Sequence, residues 1–460
     1  MIGRIRTGLS GPWERPARVR VRISYERPAD AAARQRRGRQ TRPVPTLSII
    51  NLDSNATTRP CDAAVAAVER ALREVWHNPS SVHRAGQGAR REIELAREKV
   101  AALIGAAPRD IVFTSGGTES IDLAIRGVLA AWRPDRTHER GGASTPGPSA
   151  SAHLVPSIIT SRVEHACVRD LVEELEKLGR VRVRWASLLP GGVVDPASVA
   201  AQIDTTTALV CVQWANNETG AVQPLREIGE ACRERRVSFL CDGVQWVGKC
   251  AVRVGDDSPF DLLAISAHKL HGPKGVGALW IRPGTKIRPV IHGTQELGRR
   301  GGTENVPGIA GFGAAAEESA RWLVDASCRD AGAALRDRFE QRILSAFPDA
   351  SINGPNDPPG VPADARARLW NTTNIAFPRL EAEALLLLLS ERGVWASAGA
   401  ACSSGSLDPS PVLLAMGVPE ERAHGSLRFS ISRCTTQDEV DRAAEIVLDC
   451  VRRLSRSMTA

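Results

Sequence analysis

Residues 265–281, ISAHKLHGPKGVGALWI, decide how the chain is read. An apolar run from Leu262 ends at Ser266, a polar turn carries His268 and Lys269, and a glycine-rich stretch leads into a second apolar run over 276–281. A lysine at the carboxyl end of a strand is placed to form a Schiff base with an aldehyde cofactor. A solvated turn lysine is the bland alternative, and Lys274 claims the same role on spacing alone.

Outward from this stretch, the chain beyond Ile49 alternates short apolar runs with longer helical patterns, the signature of an α/β unit with a mainly parallel sheet. Seven strands are expected, at 111–114, 155–160, 181–185, 208–213, 237–241, 262–266 and 276–281, with helices between them. A helix over 87–104 puts Ile93, Ala96, Val100, Leu103 and Ile104 on one face, and Gly105 stops it. Residues 133–156, rich in Gly, Ser, Pro and charge, read as a long surface loop. Past residue 310 a long helical stretch runs through Ala346. Mixed short strands and helices follow, ending in SLRFSIS and a last helix from Asp438 to Leu454. The domain plan is therefore a basic arm at 1–47, a large domain at 48–320 and a smaller α+β domain at 321–460.

Of the 460 residues 42% are hydrophobic and 24% charged, which suits a folded globular chain and excludes wholesale disorder. The longest strongly apolar run, Leu385 to Leu389, is far short of the roughly 18 residues a membrane span needs. The basic start lacks the apolar core of a secretory signal, so the expected location is cytoplasmic. The net charge of +8 is not spread over the fold. Residues 1–45 hold twelve arginines and three acids, leaving 48 basic against 49 acidic residues elsewhere. Three readings compete for the flexible arm: a contact to RNA or another polyanion, an Arg-rich transit peptide, or upstream sequence from a mis-assigned start. The last, or a tail without function, is favoured over nucleic-acid contact, because arginine outnumbers lysine 54 to 6 throughout. Ten scattered cysteines form no CxxC pair and no zinc-ligand spacing, so neither a disulfide framework nor a metal site is expected.

Several further segments put polar groups at strand ends, where open parallel sheets bind ligands. In FTSGGTES (113–120) a small-residue turn opens a helix and aims the backbone N–H groups around Gly117, with the hydroxyls of Ser115 and Thr118, at an anion. In FLCDGVQW (239–246) Asp242 ends a strand, where a carboxylate holds a pyridinium nitrogen protonated. WANNETG (214–220) adds amides at another strand end. Together they imply pyridoxal 5'-phosphate. WASAGAACSSGSLDPS (395–410) places Cys402 among Ala, Gly and Ser, a composition suited to a mobile loop with an accessible thiol. Arg428 offers a bidentate grip on a substrate carboxylate, against the alternative of an ordinary strand arginine.

In chain order, NLDSNATT, HNPSSVH, FTSGGTES, VEHACV, NNETG, CDGVQ, SAHKLHGPKG, RRGGTENVPG, SAGAACSSGS and SLRFS make nearly all of 49–454 resemble the NifS/IscS-type cysteine desulfurases. These are class V aminotransferase relatives of the aspartate aminotransferase-like, pyridoxal phosphate-dependent fold type I. The resemblance implies that Lys269 carries the cofactor, His165 stacks on its ring, and Asp242 meets its ring nitrogen. Gln245 and Asn217 would lie on the phenolic-oxygen side. Gly117, Thr118, Ser266 and His268 would contact the phosphate, with Thr303 reaching in from the other subunit of a homodimer. Arg428 and Asn217 would bind the carboxylate of L-cysteine. Cys402, on a loop of NifS/IscS length, would take the sulfur as a persulfide for an acceptor such as an iron–sulfur scaffold, a tRNA-thiolating enzyme or a DNA phosphorothioation system. A selenocysteine lyase or another class V enzyme such as a transaminase is the alternative function. Trp246, where a smaller residue is usual, is large enough to change the shape of the site, and Ala267 stands where Gly is common.

Overall fold

The computed structural model describes residues 49–133, 154–357, 361–362, 365–398 and 408–459. The basic arm, most of the expected surface loop and Cys402 itself lie outside these residues. The large sheet consists of β1 (Ile111–Thr114), β2 (Ser157–Thr160), β3 (Arg182–Trp185), β4 (Thr207–Gln213), β5 (Ser238–Asp242), β6 (Leu262–Ser266) and β7 (Gly277–Ile281). Their order is β1-β7-β6-β5-β4-β2-β3, and only β7 runs antiparallel to its neighbours. All seven expected strands form, within two residues of the expected ends.

Both faces of the sheet are covered, which is why its strands read as continuous apolar runs rather than alternating ones. Phe113, Val210, Val212, Leu263 and Ile265 pack on one side with α1 (Asp62–Glu74), α2 (Arg84–Ile104) and a later helix. Val112, Leu209, Cys211, Leu262 and Ala264 pack on the other with α3 (Gly117–Ala131) and α4 (Ala166–Lys177). Helix α2 starts three residues earlier than the apolar spacing indicates, because His83 Nδ1 caps it by accepting from Gly86 N at 3.2 Å. Gly105 ends it at φ 69°, a left-handed conformation that favours glycine.

The long helical stretch after residue 310 is two helices, not one: α5 (Val306–Leu323) and α6 (Ser327–Ala346). They part at residues 324–326, where the exposed Val324 leaves nothing to pack across the join. A three-stranded antiparallel sheet follows, β8 (Ser351–Ile352), β9 (Thr372–Ala376) and β10 (Ser426–Ser430), with β9 central. The last helix, α7, spans Gln437–Thr459. The core of this part also takes in Ile50 and Leu52, because Ile50–Asn51 pairs parallel with Val394–Trp395. The chain then crosses from the small sheet to the Lys269 turn. Ser54 N donates to Ser430 O at 3.0 Å, and Thr58 N donates to His268 O at 2.9 Å.

Among the described residues no helix is long and apolar enough to cross a membrane, and no cluster of acids, His or Cys is arranged to hold a metal. Five of the nine described cysteines (211, 232, 241, 250 and 450) are buried thiols, and Cys434 is exposed.

One buried ion pair fixes the segment that leads to Thr303. Arg97 on α2 grips Glu296 with two nitrogens, at 2.7 and 2.8 Å, while Glu296 Oε2 also accepts from Phe113 N at 2.8 Å. Glu296 and Leu297 both adopt left-handed φ values, 49° and 58°, a strained turn that this grip holds in place. Glu296→Ala removes two charge-assisted hydrogen bonds and leaves the Arg97 guanidinium with only Glu94 on its own helix, at a cost of roughly 1–3 kcal/mol. The urea midpoint should fall accordingly, and an unchanged midpoint would refute this account of the turn.

Candidate active site

The carboxyl ends of β4, β5 and β6 and the N-termini of α3 and α4 meet at one end of the large sheet. Lys269 leaves β6 through a single helical turn, Ala267–Lys269, closed by Leu270 N and Gly272 N, which both donate to Ala267 O. A Cβ on Gly272 would lie 2.8 Å from that same oxygen, so only glycine lets the turn close so tightly. Lys269 Nζ donates to the carbonyls of Asn55 at 2.5 Å and Ala56 at 2.9 Å. Lys274 is exposed, whereas Lys269 is half-buried against these carbonyls, which separates the two lysines that spacing alone leaves equal.

Asn55 is the junction behind Lys269. Its carbonyl also accepts from Gln245 Nε2 at 3.1 Å. Its side chain accepts from Lys249 Nζ at 2.8 Å and Asn371 Nδ2 at 3.1 Å, and donates to Asn217 O and to Thr372 Oγ1. Neither Asn55 nor Lys249 stands out in the sequence. The available signal for Lys249 was a lysine four residues after Gln245, in an apolar segment of a chain with six lysines in all.

Asp242 ends β5, and its Oδ1 accepts from Val244 N at 3.0 Å. Burial raises its pKa, opposed by that N–H and by the nearby His165 and Lys269. His165 caps α4: its Nδ1 accepts from Cys167 N at 3.1 Å, so a neutral ring carries its proton on Nε2. Burial lowers the pKa of His165, with Asp242 opposing and Lys269 adding to the fall. The fully buried Glu164 beside it accepts from Ser161 Oγ and from Gln213 N, both at 2.7 Å, and Gln213 lies in register with Asp242. Burial pushes Glu164 up to about 8. The sequence reading missed it, although it directly precedes His165.

Gly116 and Gly117 open α3 beside Ser266. A Cβ on Gly117 would come within 2.6 Å of Val244 Cγ2 and 3.6 Å of Ser266 Cβ. A Cβ on Gly277 would strike Gly116 Cα at 2.6 Å. The small residues thus let a helix N-terminus, a natural anion site, approach the Lys269 strand closely. Thr118 is exposed at this terminus, and His268 Nδ1 lies 3.1 Å from Thr57 Oγ1. Burial, followed by Lys269 and Lys274, pushes His268 down to about 4. Arg300 pairs with Glu119 at 2.7 Å, which brings the RRGGTEN segment to the same helix end, and Thr303 is exposed on it.

Arg428, on β10 and 2% exposed, donates to Asp53 Oδ1 at 2.7 Å and to Asn217 O at 3.1 Å, while its Nε is buried without an acceptor among the described residues. Both flanks of the Cys402 segment attach here. Ser397 exchanges two backbone hydrogen bonds with Arg428, at 2.7 and 3.2 Å, and Ser410 Oγ donates to the buried Glu218 at 2.5 Å. Trp246 does not shape this group: its ring stacks on Trp214 at 4.7 Å between centroids, and its Nε1 donates to Ala251 O.

Glu164 gives the site a signature in pH. Unfolded, it ionises near the ordinary glutamate value; folded, it holds its proton to about 8. The folded state therefore binds more protons between those values, and its stability falls as pH rises through that window. Glu164→Gln keeps an acceptor for Gln213 N and gains a donor for Ser161. Its denaturant midpoint should decline less between pH 5 and 8 than that of the wild type; parallel declines would rule out Glu164 as the cause.

The class-V aminotransferase family profile matches residues 50–138 and 152–443. A cysteine desulfurase of Trichormus azollae is 44% identical over 409 residues, covering 89% of this chain and 94% of that one. A cysteine desulfurase of Cereibacter sphaeroides is 42% identical, with 88% and 97% covered. A solved NifS-like protein superposes with a TM-score of 0.75 at 32% identity over 88% of this chain and all of its own. SspA solved in complex with cysteine gives 0.67 at 30% identity, with 84% and 99% covered. The chain belongs to the class-V aminotransferase family and, within it, to the cysteine desulfurases.

Proposed function

We propose that this chain binds pyridoxal 5'-phosphate at the strand-end cluster, removes the sulfur of L-cysteine and carries it as a persulfide on Cys402, leaving L-alanine. One observation carries the reading: Lys269 Nζ, held by the Asn55 and Ala56 carbonyls, shares electrostatic contact with Asp242 and His165 at the carboxyl ends of the strands. The residues fit the cofactor. The N-terminus of α3 with Gly117, Thr118, Ser266 and His268 suits its phosphate, Asp242 its ring nitrogen, the imidazole of His165 its ring face, and Gln245 and Asn217 its phenolic oxygen. When bound, the cofactor supplies an electron sink for the substrate's carbon skeleton.

The chain's own groups do the rest. Arg428, with Asn217, receives the substrate carboxylate, its buried Nε offering a further donor. Lys269 Nζ moves the α-proton, and the neutral His165, protonated on Nε2, is a proton carrier beside it. The Cys402 thiolate attacks the substrate sulfur, so that an S–S bond forms as the carbon–sulfur bond breaks. Ser397 and Ser410, on either side of that thiol's segment, are each hydrogen-bonded at this group. The persulfide then passes to an iron–sulfur scaffold or a tRNA-thiolation enzyme in the cytoplasm.

The residues beyond 320 are proposed to form the smaller domain that carries this segment. The working unit is a homodimer, with Thr303 completing the partner subunit's phosphate site. An apolar groove of about 450 Å³ between Val65, Val68, Leu72 and Pro273 supports that association.

Alanine released from L-cysteine, with and without reductant, tests the reading. Cys402→Ala should keep its cofactor and lose at least about 100-fold in turnover, while Lys269→Ala should lose both activity and the lysine-bound colour. Alanine production by Cys402→Ala at the wild-type rate would show that the sulfur leaves by another route.

A further inference from the structure

Lys249 is 5% exposed, yet no carboxylate pairs with it among the described residues. Its Nζ donates instead to two neutral oxygens, Gln245 Oε1 at 2.6 Å and Asn55 Oδ1 at 2.8 Å. Its main chain is fixed as well: Lys249 N donates to Trp246 O at 3.0 Å, and Lys249 O accepts from Trp370 Nε1 at 3.0 Å. The two residues it grips are the ones that surround Lys269. Asn55 turns its carbonyl to Lys269 Nζ, and Gln245 Nε2 shares that carbonyl.

We propose that Lys249 is a positioning residue for Lys269. By holding the Gln245 amide and the Asn55 side chain it fixes the carbonyl that receives Lys269 Nζ, and it brings a second amine to the same asparagine that Lys269 contacts. The chemistry favours lysine over the arginine this chain otherwise prefers. An ammonium is a compact point charge that two oxygens can face, whereas a guanidinium brings five donors in a rigid fork and a charge that no accessible pH removes. Burial, with Lys269 next, drives Lys249 well below the ordinary lysine range, and the share of charge it still carries acts on Lys269 in turn. The groups facing Lys249 are Lys269, Arg428 and the Cys250 thiol. Those coupled to Lys269 include Asp242, His165 and His268, none of which the substitutions below alter.

The inference rests on Lys269 being the cofactor lysine. It is tested by the visible absorption of the lysine-bound cofactor against pH, in the holoenzyme and in K249M and K249R. Methionine fills a similar volume without charge or donor, so the midpoint should move to higher pH, by about one unit, or tenfold in proton affinity. Arginine keeps the charge at every pH and should move the midpoint the other way. K249Q, neutral like methionine, replaces K249M should that variant not fold, and if K249R loses its cofactor the neutral variant decides. A midpoint unmoved in the neutral variant, or moved alike in both, overturns the proposal, since a purely structural role has no sign. A wild type that binds the cofactor but shows no lysine-bound band retires the assignment of Lys269 instead, and with it the wider reading.

Discussion

The Asn55 carbonyl receives Lys269 Nζ at 2.5 Å and Gln245 Nε2 at 3.1 Å, and the residue that carries it is itself fully committed. Its N–H donates to Ser430 Oγ, and its amide bonds to Lys249, Asn371, Thr372 and Asn217. Five stretches of chain, up to 375 residues away, thereby meet at one buried residue. A buried polar group left unpaired costs roughly 1–3 kcal/mol, so any shift of one stretch is resisted by all the others. The position of Lys269 is therefore a property of the whole arrangement, not of its own turn.

Charge at this end of the sheet is managed more by protonation than by pairing. Arg428 pairs with Asp53 and Arg300 with Glu119, each at 2.7 Å. Elsewhere burial favours the uncharged form from both sides: Glu164 and Asp242 are raised, while Lys249 and His165 are lowered. A buried isolated charge is costly enough that the group neutralises instead. A ligand that brings its own anionic and cationic groups would find neutral partners already desolvated and oriented. Perturbed titration of several groups in one place is what a catalytic site requires.

Much of this was legible in the sequence, for a physical reason. Strands buried on both faces read as short apolar runs, and the candidate residues Lys269, Asp242 and Asn217 are visible because each directly follows such a run. The break at residues 324–326 was not visible, since helical periodicity continues on both sides and only packing shows where it ends. Asn55 and Lys249 were hidden for a different reason: they bond across 194 positions, and neither residue type signals its partner. Trp246 misled because its size was read at its sequence position, next to Gln245, whereas its ring lies against Trp214.

On the proposed reading, the segment that carries Cys402 has to serve the substrate first and an acceptor afterwards, and its two tethers differ. The Ser397 tether is main chain to main chain, on the strand residue proposed to bind the carboxylate. The Ser410 tether is one hydroxyl on one buried acid, Glu218, whose pKa burial raises. The first resembles an extension of the small sheet and leaves only with it. The second joins that contact to a buried turn, since Val412, two residues on, is 1% exposed and belongs to the core beside the large sheet. Closing a loop between fixed ends costs entropy that grows only slowly with length, so holding both flanks costs little in stability. On that reading, the two flanks are held by different parts of the fold, Ser397 by the small sheet and Ser410 with Val412 by the core beside the large one.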